Sequence, residues 1–227
     1  MTTAAAWILS LMLSVAPPRD SSNAKWSYID ARETKEAAVA RYEEIAQAAA
    51  DVAFDESEPA LFGGSHGRAR TAALLISVAF NESGFRRDVD LGIGPKARGS
   101  GIDSCLMQVR GLHSSLTAEG WTWKELVSDR QKCFRAGLHV IRKSLTACSK
   151  YPQLDQLAVY TSGKCGSGLL GSRMRVGLAL RMYAARPAPE KDASWLIAKV
   201  EPVVPVLVEK ACYAACGRLV GGQSAGE

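Results

Sequence analysis

The sequence lacks several features that mark common functional classes. It has no long run of lysine and arginine, and its formal net charge is only +5, so a nucleic-acid-binding role has little support. It has no internal repeat and no low-complexity segment. The apolar stretch from Trp7 to Val15 is too short to span a bilayer. The sequence therefore predicts a globular protein with no integral membrane span, whose mild basicity suits a polyanionic surface such as a bacterial envelope.

Metal-binding motifs are also missing. There is no pair of Cys-x-x-Cys knuckles, and Cys212 with Cys216 forms a lone Cys-x-x-x-Cys, so neither a metal nor a cofactor is predicted. An even number of cysteines favours disulfides in an exported protein, and buried free thiols are the alternative. On one helix Cys133 and Cys148 would lie about 22 Å apart, so we expect no bridge between them. The six cysteines are Cys105, Cys133, Cys148, Cys165, Cys212 and Cys216.

The N-terminal segment has some features of an export signal. Ser14-Val15-Ala16 matches the small-x-small pattern of a cleavage site that follows a short apolar stretch. The segment before it has no lysine or arginine, and Pro17 follows directly, so a packed or disordered N-terminus is the alternative. We predict an export segment and linker over residues 1–25, and a periplasmic, extracellular or cell-wall-associated protein.

Length and periodicity predict one mainly α-helical domain. The 227 residues, 47% of them hydrophobic, are enough for one buried core with extensions at its ends. We assign residues 26–186 to the main domain and residues 187–227 to a helical extension and tail. Helical patterns cover Asp30 to Phe54, Asp129 to about Ser149, with Asp129 as the cap, and Arg173 to Ala185. In the last of these, the pattern places Met174, Leu178 and Met182 inward and several arginines outward.

A glutamate lies at the end of another apolar helical pattern. Glu82 is on the same helical face as Leu75, Val78 and Ala79, so its carboxyl faces the core. Burial disfavours the charged form and keeps a carboxyl protonated at higher pH, which suits a general acid. Gly84 would end the helix directly after it. The alternative is a solvated glutamate of the kind common near helix ends.

Two further motifs follow in the chain. Residues 106–109 are Leu-Met-Gln-Val, after a glycine-rich segment, and residues 158–163 are Ala-Val-Tyr-Thr-Ser-Gly. Together with Glu82-Ser83, in this order, they resemble the lytic transglycosylase and goose-type lysozyme group. Its pattern is a helix ending in Glu-Ser, then Gly-Leu-Met-Gln, then Ala-Tyr-Asn-x-Gly. The resemblance covers about residues 69–185, and it departs from the pattern at Cys105, where the group has glycine, and at Thr161, where it has asparagine.

The resemblance implies a fold and an activity. The fold would be a lysozyme-like domain with a small irregular or β lobe and extra terminal helices. The protein would be a monomer that cleaves the β-1,4 bond between N-acetylmuramic acid and N-acetylglucosamine in peptidoglycan glycan strands, with Glu82 as general acid and base. The substrate-binding residues that the resemblance implies are Ser83, Met107, Gln108, Tyr160 and Tyr183.

Several of these residues have a plainer interpretation. The amide of Gln108 suits an N-acetyl group or a sugar hydroxyl because it both donates and accepts. The type of Met107 favours a core residue over a substrate contact, and Tyr183 is equally an ordinary half-buried tyrosine. Trp121 and Trp123 could stack on sugars or cover the core.

Three outcomes remain open for the chemistry. A lytic transglycosylase would form a 1,6-anhydro product with Glu82 alone. A hydrolytic lysozyme would need a second carboxylate to activate water, and Asp103, five residues before Gln108, is the candidate. An inactive glycan-binding cell-wall protein is the third, which Cys105 and Thr161 favour and the intact Glu82 opposes.

The resemblance also bears on the segment between the motifs and on one disulfide. Cys105 and Cys165 flank motifs that line the same cleft in the resembled fold, so a bridge between them is expected. Residues 85–104 have no helical periodicity, and they predict a functional loop. Asp88 and Asp90 within it are interpreted as turn residues beside glycine.

Overall fold

The described part of the chain is mainly helical, as predicted. The computed structural model describes residues 1–25, 31–93, 103–110 and 117–188. Two short strands, β1 (Asp103–Ser104) and β2 (Val109–Arg110), form an antiparallel hairpin in which Asp103 is paired with Arg110 and Ser104 with Val109. The helices are α1 (Thr3–Val15), α2 (Lys35–Ala53), α3 (Gly67–Ser83), α4 (Arg87–Asp90), α5 (Trp123–Ser128), α6 (Arg130–Ala147), α7 (Ala158–Ser162) and α8 (Leu169–Ala185).

Helix ends follow local capping signals. The side chain of Asp129 accepts a hydrogen bond from the backbone N–H of Lys132 at 3.1 Å, so the predicted cap of α6 is confirmed. Thr34 caps α2 in the same way, through the N–H of Ala37. Gly84 takes a left-handed conformation, with φ of 59°, and ends α3 where the sequence predicted.

Helix α3 lies at the centre of the core. Leu75, Ile76, Val78 and Ala79 are all fully buried, and α3 packs against α1, α2, α6 and α8. The hydroxyl of Ser77 donates a hydrogen bond of 2.6 Å to a backbone carbonyl of α8. The last turn of α3, which carries Glu82, is therefore held from several sides.

The N-terminal segment forms a packed helix. Ile8 and Leu11 of α1 are fully buried, chiefly against α2, and the indole N–H of Trp7 donates to the carbonyl oxygen of Arg186 at 3.0 Å. The packed arrangement was the alternative to an export signal, and export itself stays a prediction. Within the described ranges, no helix is long and apolar enough to cross a membrane.

Two disulfides attach neighbouring segments to α6. Cys105 of the hairpin is bonded to Cys133, in the first turn of α6, and Cys148 at the other end of α6 is bonded to Cys165. The expected bridge between Cys105 and Cys165 is therefore wrong, because the hairpin packs against the start of α6 while Cys165 packs against its end. The expected absence of a bridge between Cys133 and Cys148 is confirmed. Residues 212 and 216 lie outside the described ranges.

The interpretation of Asp88 and Asp90 as turn residues beside glycine is also wrong. Both lie in α4, and both side chains are fully buried. Asp88 forms an ion pair with Arg86, and Asp90 accepts two hydrogen bonds of 2.8 Å from Arg130, one on each oxygen. The Asp90 ion pair connects the start of the predicted loop to α6, whereas the partner of Asp88 lies in the same segment.

Candidate active site

A cleft of about 540 Å³ lies between the end of α3, the hairpin, α6, α7 and α8. All three sequence motifs contribute to its wall, although they lie far apart in the chain. Of the predicted site residues, the fold brings together Glu82, Asp103, Gln108 and Tyr160. The complete lining is Glu82, Asp103, Gln108, Val109, Val140, Val159, Tyr160, Thr161, Ser162, Gly163 and Arg175.

Glu82 is held in the cleft by one arginine. The Nε and Nη2 atoms of Arg175 donate hydrogen bonds of 3.0 and 2.7 Å to Glu82, and both bonds go to the same oxygen, Oε1. No described residue donates a hydrogen bond to Oε2 of Glu82. The Glu82 side chain is 18% exposed and that of Arg175 is 14% exposed, so the pair is largely desolvated while it still borders the cleft.

The environment of Glu82 favours its protonated form. Burial raises the pKa of Glu82 above its ordinary value, and the nearby Asp103 carboxylate raises it further. The charge and the hydrogen bonds of Arg175 act in the opposite direction, and the net result is a raised pKa. A carboxyl that keeps its proton at higher pH than an ordinary glutamate is better suited to protonate a leaving group. This is the behaviour that the core-facing position predicted.

Sequence periodicity missed Arg175. It placed Met174, Leu178 and Met182 inward and several arginines outward. Met182 is buried as predicted, but Met174 is 53% exposed, and the buried face of α8 extends instead to Arg175, which faces α3. The guanidinium also donates from Nη1 to the carbonyl oxygen of Gly171 at 2.8 Å. Gly171, without a Cβ, leaves space for this guanidinium, but Gly177 precedes Arg181 by the same four residues, so this spacing does not single out Arg175.

Gln108 ends a tight turn that connects β1 and β2. Both Cys105 (φ 59°) and Gln108 (φ 46°) have left-handed backbone conformations, which are uncommon outside glycine. The resembled group has glycine at the position of Cys105, and here the disulfide to Cys133 anchors the turn instead. The amide Nε2 of Gln108 donates to the carbonyl oxygen of Cys105 at 2.9 Å. Its amide oxygen is therefore the atom suited to accept a hydrogen bond from a ligand.

Tyr160 connects α7 to the turn. Its hydroxyl donates a hydrogen bond to the carbonyl oxygen of Met107, and its backbone N–H donates to Ser144 Oγ of α6 at 3.2 Å. Burial, together with the negative charge of Glu82, raises the pKa of Tyr160 well above its ordinary value. The hydroxyl is therefore neutral and serves as a donor that fixes the hairpin against the cleft.

Thr161, which replaces the asparagine of the resembled pattern, bonds to its own loop. Its hydroxyl lies 3.2 Å from the carbonyl oxygen of Ala158 and 3.1 Å from that of Gly168. The side chain borders the cleft, but its hydroxyl donates its hydrogen bond to backbone carbonyl oxygens.

Two predicted substrate-binding residues face the interior instead. Ser83 is buried; its hydroxyl donates to the carbonyl oxygen of Ala79 at 2.7 Å and accepts from the N–H of Phe85 at 3.2 Å. It fastens the end of α3 and does not line the cleft. Met107 is fully buried, and it packs so closely on Gly137 of α6 that a Cβ there would come within 2.6 Å of its terminal carbon. Its side chain belongs to the core.

The aromatic candidates also lie elsewhere. Tyr183 packs edge-on against Trp7 of α1, with ring centroids 6.2 Å apart. It is eight residues after Arg175, which corresponds to about 12 Å along α8, so it does not reach Glu82. Trp121 packs against the core with the Lys132 ammonium 5.6 Å from its ring. Neither Trp121 nor Trp123 lines the cleft.

In the described ranges, no group of three or more histidine, cysteine, aspartate or glutamate side chains is placed to hold a metal ion. Comparison of the chain with models of protein families, with curated proteins and with solved structures gives no match. The identity of the site therefore depends on its motifs and on the geometry of the cleft around Glu82.

Proposed function

We propose that the protein is a peptidoglycan glycosidase of the lytic transglycosylase type, with Glu82 as its single general acid and base. The observation that carries the proposal is the position of Glu82. It is a partly buried carboxyl with a raised pKa at the wall of an open cleft, and Gln108 and Tyr160 of the other two motifs line the same cleft. A sugar chain needs an open cleft of this kind, and glycosidic cleavage needs an acid that is protonated near neutral pH.

The proposed reaction consumes no water. Glu82 gives its proton to the glycosidic oxygen, the bond from that oxygen to C1 of N-acetylmuramic acid breaks, and the electron pair stays on the oxygen as the 4-hydroxyl of N-acetylglucosamine. The 2-acetamido oxygen of the muramic acid stabilises the positive charge at C1. The 6-hydroxyl of the same sugar then attacks C1, and its proton returns to Glu82. This attack is intramolecular, so a well-oriented hydroxyl competes effectively with water.

The other cleft residues have positioning roles in this proposal. With Nε2 of Gln108 bonded to the backbone, the amide oxygen accepts from the N–H of an N-acetyl group. Tyr160 holds the turn that carries Gln108 through the Met107 carbonyl. Thr161 contributes the shape of the wall, because its hydroxyl bonds to the backbone.

Asp103 favours a second candidate, a hydrolytic lysozyme. It lines the same cleft as Glu82, and its charge contributes to the raised pKa of Glu82. In this mechanism Asp103 takes a proton from a water molecule that attacks C1, while Glu82 protonates the leaving oxygen. The product then carries a reducing end in place of the 1,6-anhydro ring.

The proposed location is outside the cytoplasm. Peptidoglycan lies there, and the two disulfides of the described chain are compatible with an oxidising compartment. A net charge of +5 also favours association with an anionic cell envelope.

Mass spectrometry of the digestion products tests the proposal. Purified protein is incubated with purified peptidoglycan, with Glu82→Gln as the inactive control. We expect muropeptides with 1,6-anhydro ends, which are one water lighter than hydrolysed ends. Reducing ends, together with loss of activity in Asp103→Asn, would establish the hydrolytic mechanism instead. Sedimentation of the protein with peptidoglycan without release of fragments would overturn both enzymatic proposals and leave a glycan-binding protein.

A further inference from the structure

Arg175 is fixed by hydrogen bonds of both its side chain and its backbone. Its guanidinium donates from Nε and Nη2 to Oε1 of Glu82 and from Nη1 to the carbonyl of Gly171. Its own backbone carbonyl accepts the hydrogen bond from Ser77 of α3. The guanidinium and the carboxyl are therefore fixed relative to each other both by their side chains and by the packing of α3 on α8.

We propose that Arg175 is the positioning residue of the reaction: it occupies Oε1 of Glu82, so that Oε2 carries the catalytic proton, and it stabilises the carboxylate left after proton donation. This inference rests on the proposed role of Glu82 as general acid. The geometry that carries it is the placement of both hydrogen bonds on one oxygen. A guanidinium in this position cannot accept a proton, so a proton on Oε1 would displace two bonds.

The electrostatics of the cleft are consistent with this role. Among the described residues that line the cleft, the titratable groups facing Glu82 are Arg175 from α8, Asp103 from β1 and Tyr160 from α7. Tyr160 is neutral, and Asp103 disfavours the ionised form of Glu82. Arg175 is the cationic group in this set. Burial thus favours the protonated form of Glu82 before the reaction, and Arg175 lowers the free energy of the carboxylate that forms as the proton leaves.

A neighbouring ion pair on the same helix supplies a matched control. Arg173 donates to Asp155 with one nitrogen on each oxygen, at 2.6 and 3.0 Å, and its side chain is 55% exposed. It lies two residues before Arg175 and does not line the cleft. Arg173→Met therefore removes an arginine–carboxylate pair from α8 without touching Glu82.

The test is the pH dependence of the rate of peptidoglycan cleavage in the full-length protein. The rate should fall at high pH as Glu82 loses its proton, and we call this fall the basic limb of the pH–rate profile. For Arg175→Met we expect the basic limb to move to higher pH, because Glu82 loses the charge that favours its ionised form. The plateau rate should fall by up to about 100-fold, because the acid is less well positioned. Arg175→Lys should keep the basic limb closer to that of the wild type, because the positive charge remains. Its rate should still be reduced, because an ammonium lacks the planar guanidinium geometry that places two N–H donors on one oxygen. Arg173→Met should retain the wild-type profile.

A rate loss without movement of the limb, or with movement to lower pH, would overturn the proposal, as would the same profile in Arg173→Met. Titration of the Glu82 carboxyl carbon by NMR separates this inference from the proposed function. If the wild type cleaves no peptidoglycan, the proposed function fails, and with it the catalytic role of Arg175. The electrostatic coupling is then judged alone: a higher Glu82 pKa in Arg175→Met supports it, and an unchanged pKa removes it.

Discussion

Two arginine–carboxylate pairs in this protein differ in how fully the carboxylate is bonded. Asp90 is fully buried, each of its oxygens accepts a hydrogen bond of 2.8 Å from Arg130, and Arg41 lies 3.6 Å from one of them. Glu82 borders the cleft, and both bonds from Arg175 go to one oxygen. Both sites pair an arginine with a carboxylate. At Asp90 both oxygens accept hydrogen bonds, whereas at Glu82 only Oε1 accepts them from the described residues.

The difference separates a structural ion pair from a candidate catalytic one. A buried carboxylate is tolerated when it is paired with a cation and both of its oxygens accept hydrogen bonds, as at Asp90. At Glu82 one oxygen has no hydrogen bond from the described residues and the pKa is raised, and perturbed groups of this kind cluster at functional sites. Isosteric amide substitutions at the two positions should therefore have opposite consequences.

The largest effect is expected for Glu82→Gln. The amide keeps the volume of the side chain but cannot donate the catalytic proton, so peptidoglycan cleavage should fall on the order of 100- to 10,000-fold. The free energy of unfolding at neutral pH should not decrease. Cleavage is measured by release of soluble muropeptides, and folding by circular dichroism. Wild-type cleavage by a correctly folded variant would refute the assignment of Glu82.

The matched substitution Asp90→Asn should reduce stability instead. It removes the charge that compensates Arg130 and Arg41, and breaking a buried pair costs about 3 to 5 kcal/mol. We expect a value near the lower end of that range, because Arg130 is partly exposed and also contacts Glu44. Urea unfolding measures the change. The folded fraction should keep its cleavage activity, and an activity loss as large as that of Glu82→Gln would remove the distinction between the two pairs.

The smallest effect is the pH dependence of stability. The pKa of Glu82 is raised above 4.5 in the folded state, so its ionisation costs stability at neutral pH and costs nothing below about pH 4.5. Hydrogen bonds from Ser57 and Arg135 lower the pKa of Asp55 from 3.8 to about 2, so its contribution is present above pH 3.8 and is lost as the pH falls through about 2.

Unfolding of Glu82→Gln and Asp55→Asn at a series of pH values checks both signs. Glu82→Gln should be more stable than the wild type at neutral pH, and the difference should disappear in acid. Asp55→Asn should be less stable at neutral pH, and its deficit should close only toward pH 2. The same sign for both variants would contradict the difference between Glu82, which the described residues bond on one oxygen, and Asp55, which they bond on both.

The sequence by itself determined the features that depend on a few neighbouring residues. Helix α6 begins where Asp129 can accept from backbone N–H groups, and α3 ends where Gly84 can take a left-handed conformation. The burial of Glu82 followed from the apolar residues three, four and seven positions before it, because these share one helical face. The resemblance carried by the three motifs predicted Gln108 and Tyr160 as substrate-binding residues, and both line the cleft.

Only the tertiary structure decided which distant groups meet. Arg175 faces Glu82 because α8 packs on α3 with Met174 pointing to solvent, and hydropathy does not distinguish Arg175 from an exposed arginine of the same helix such as Arg173. Cys105 pairs with Cys133, and Tyr183 meets Trp7, because of how the hairpin and α1 pack on the other helices. Local structure follows from hydrogen bonds and sterics over a few residues, whereas these contacts depend on the free energy of packing the whole core.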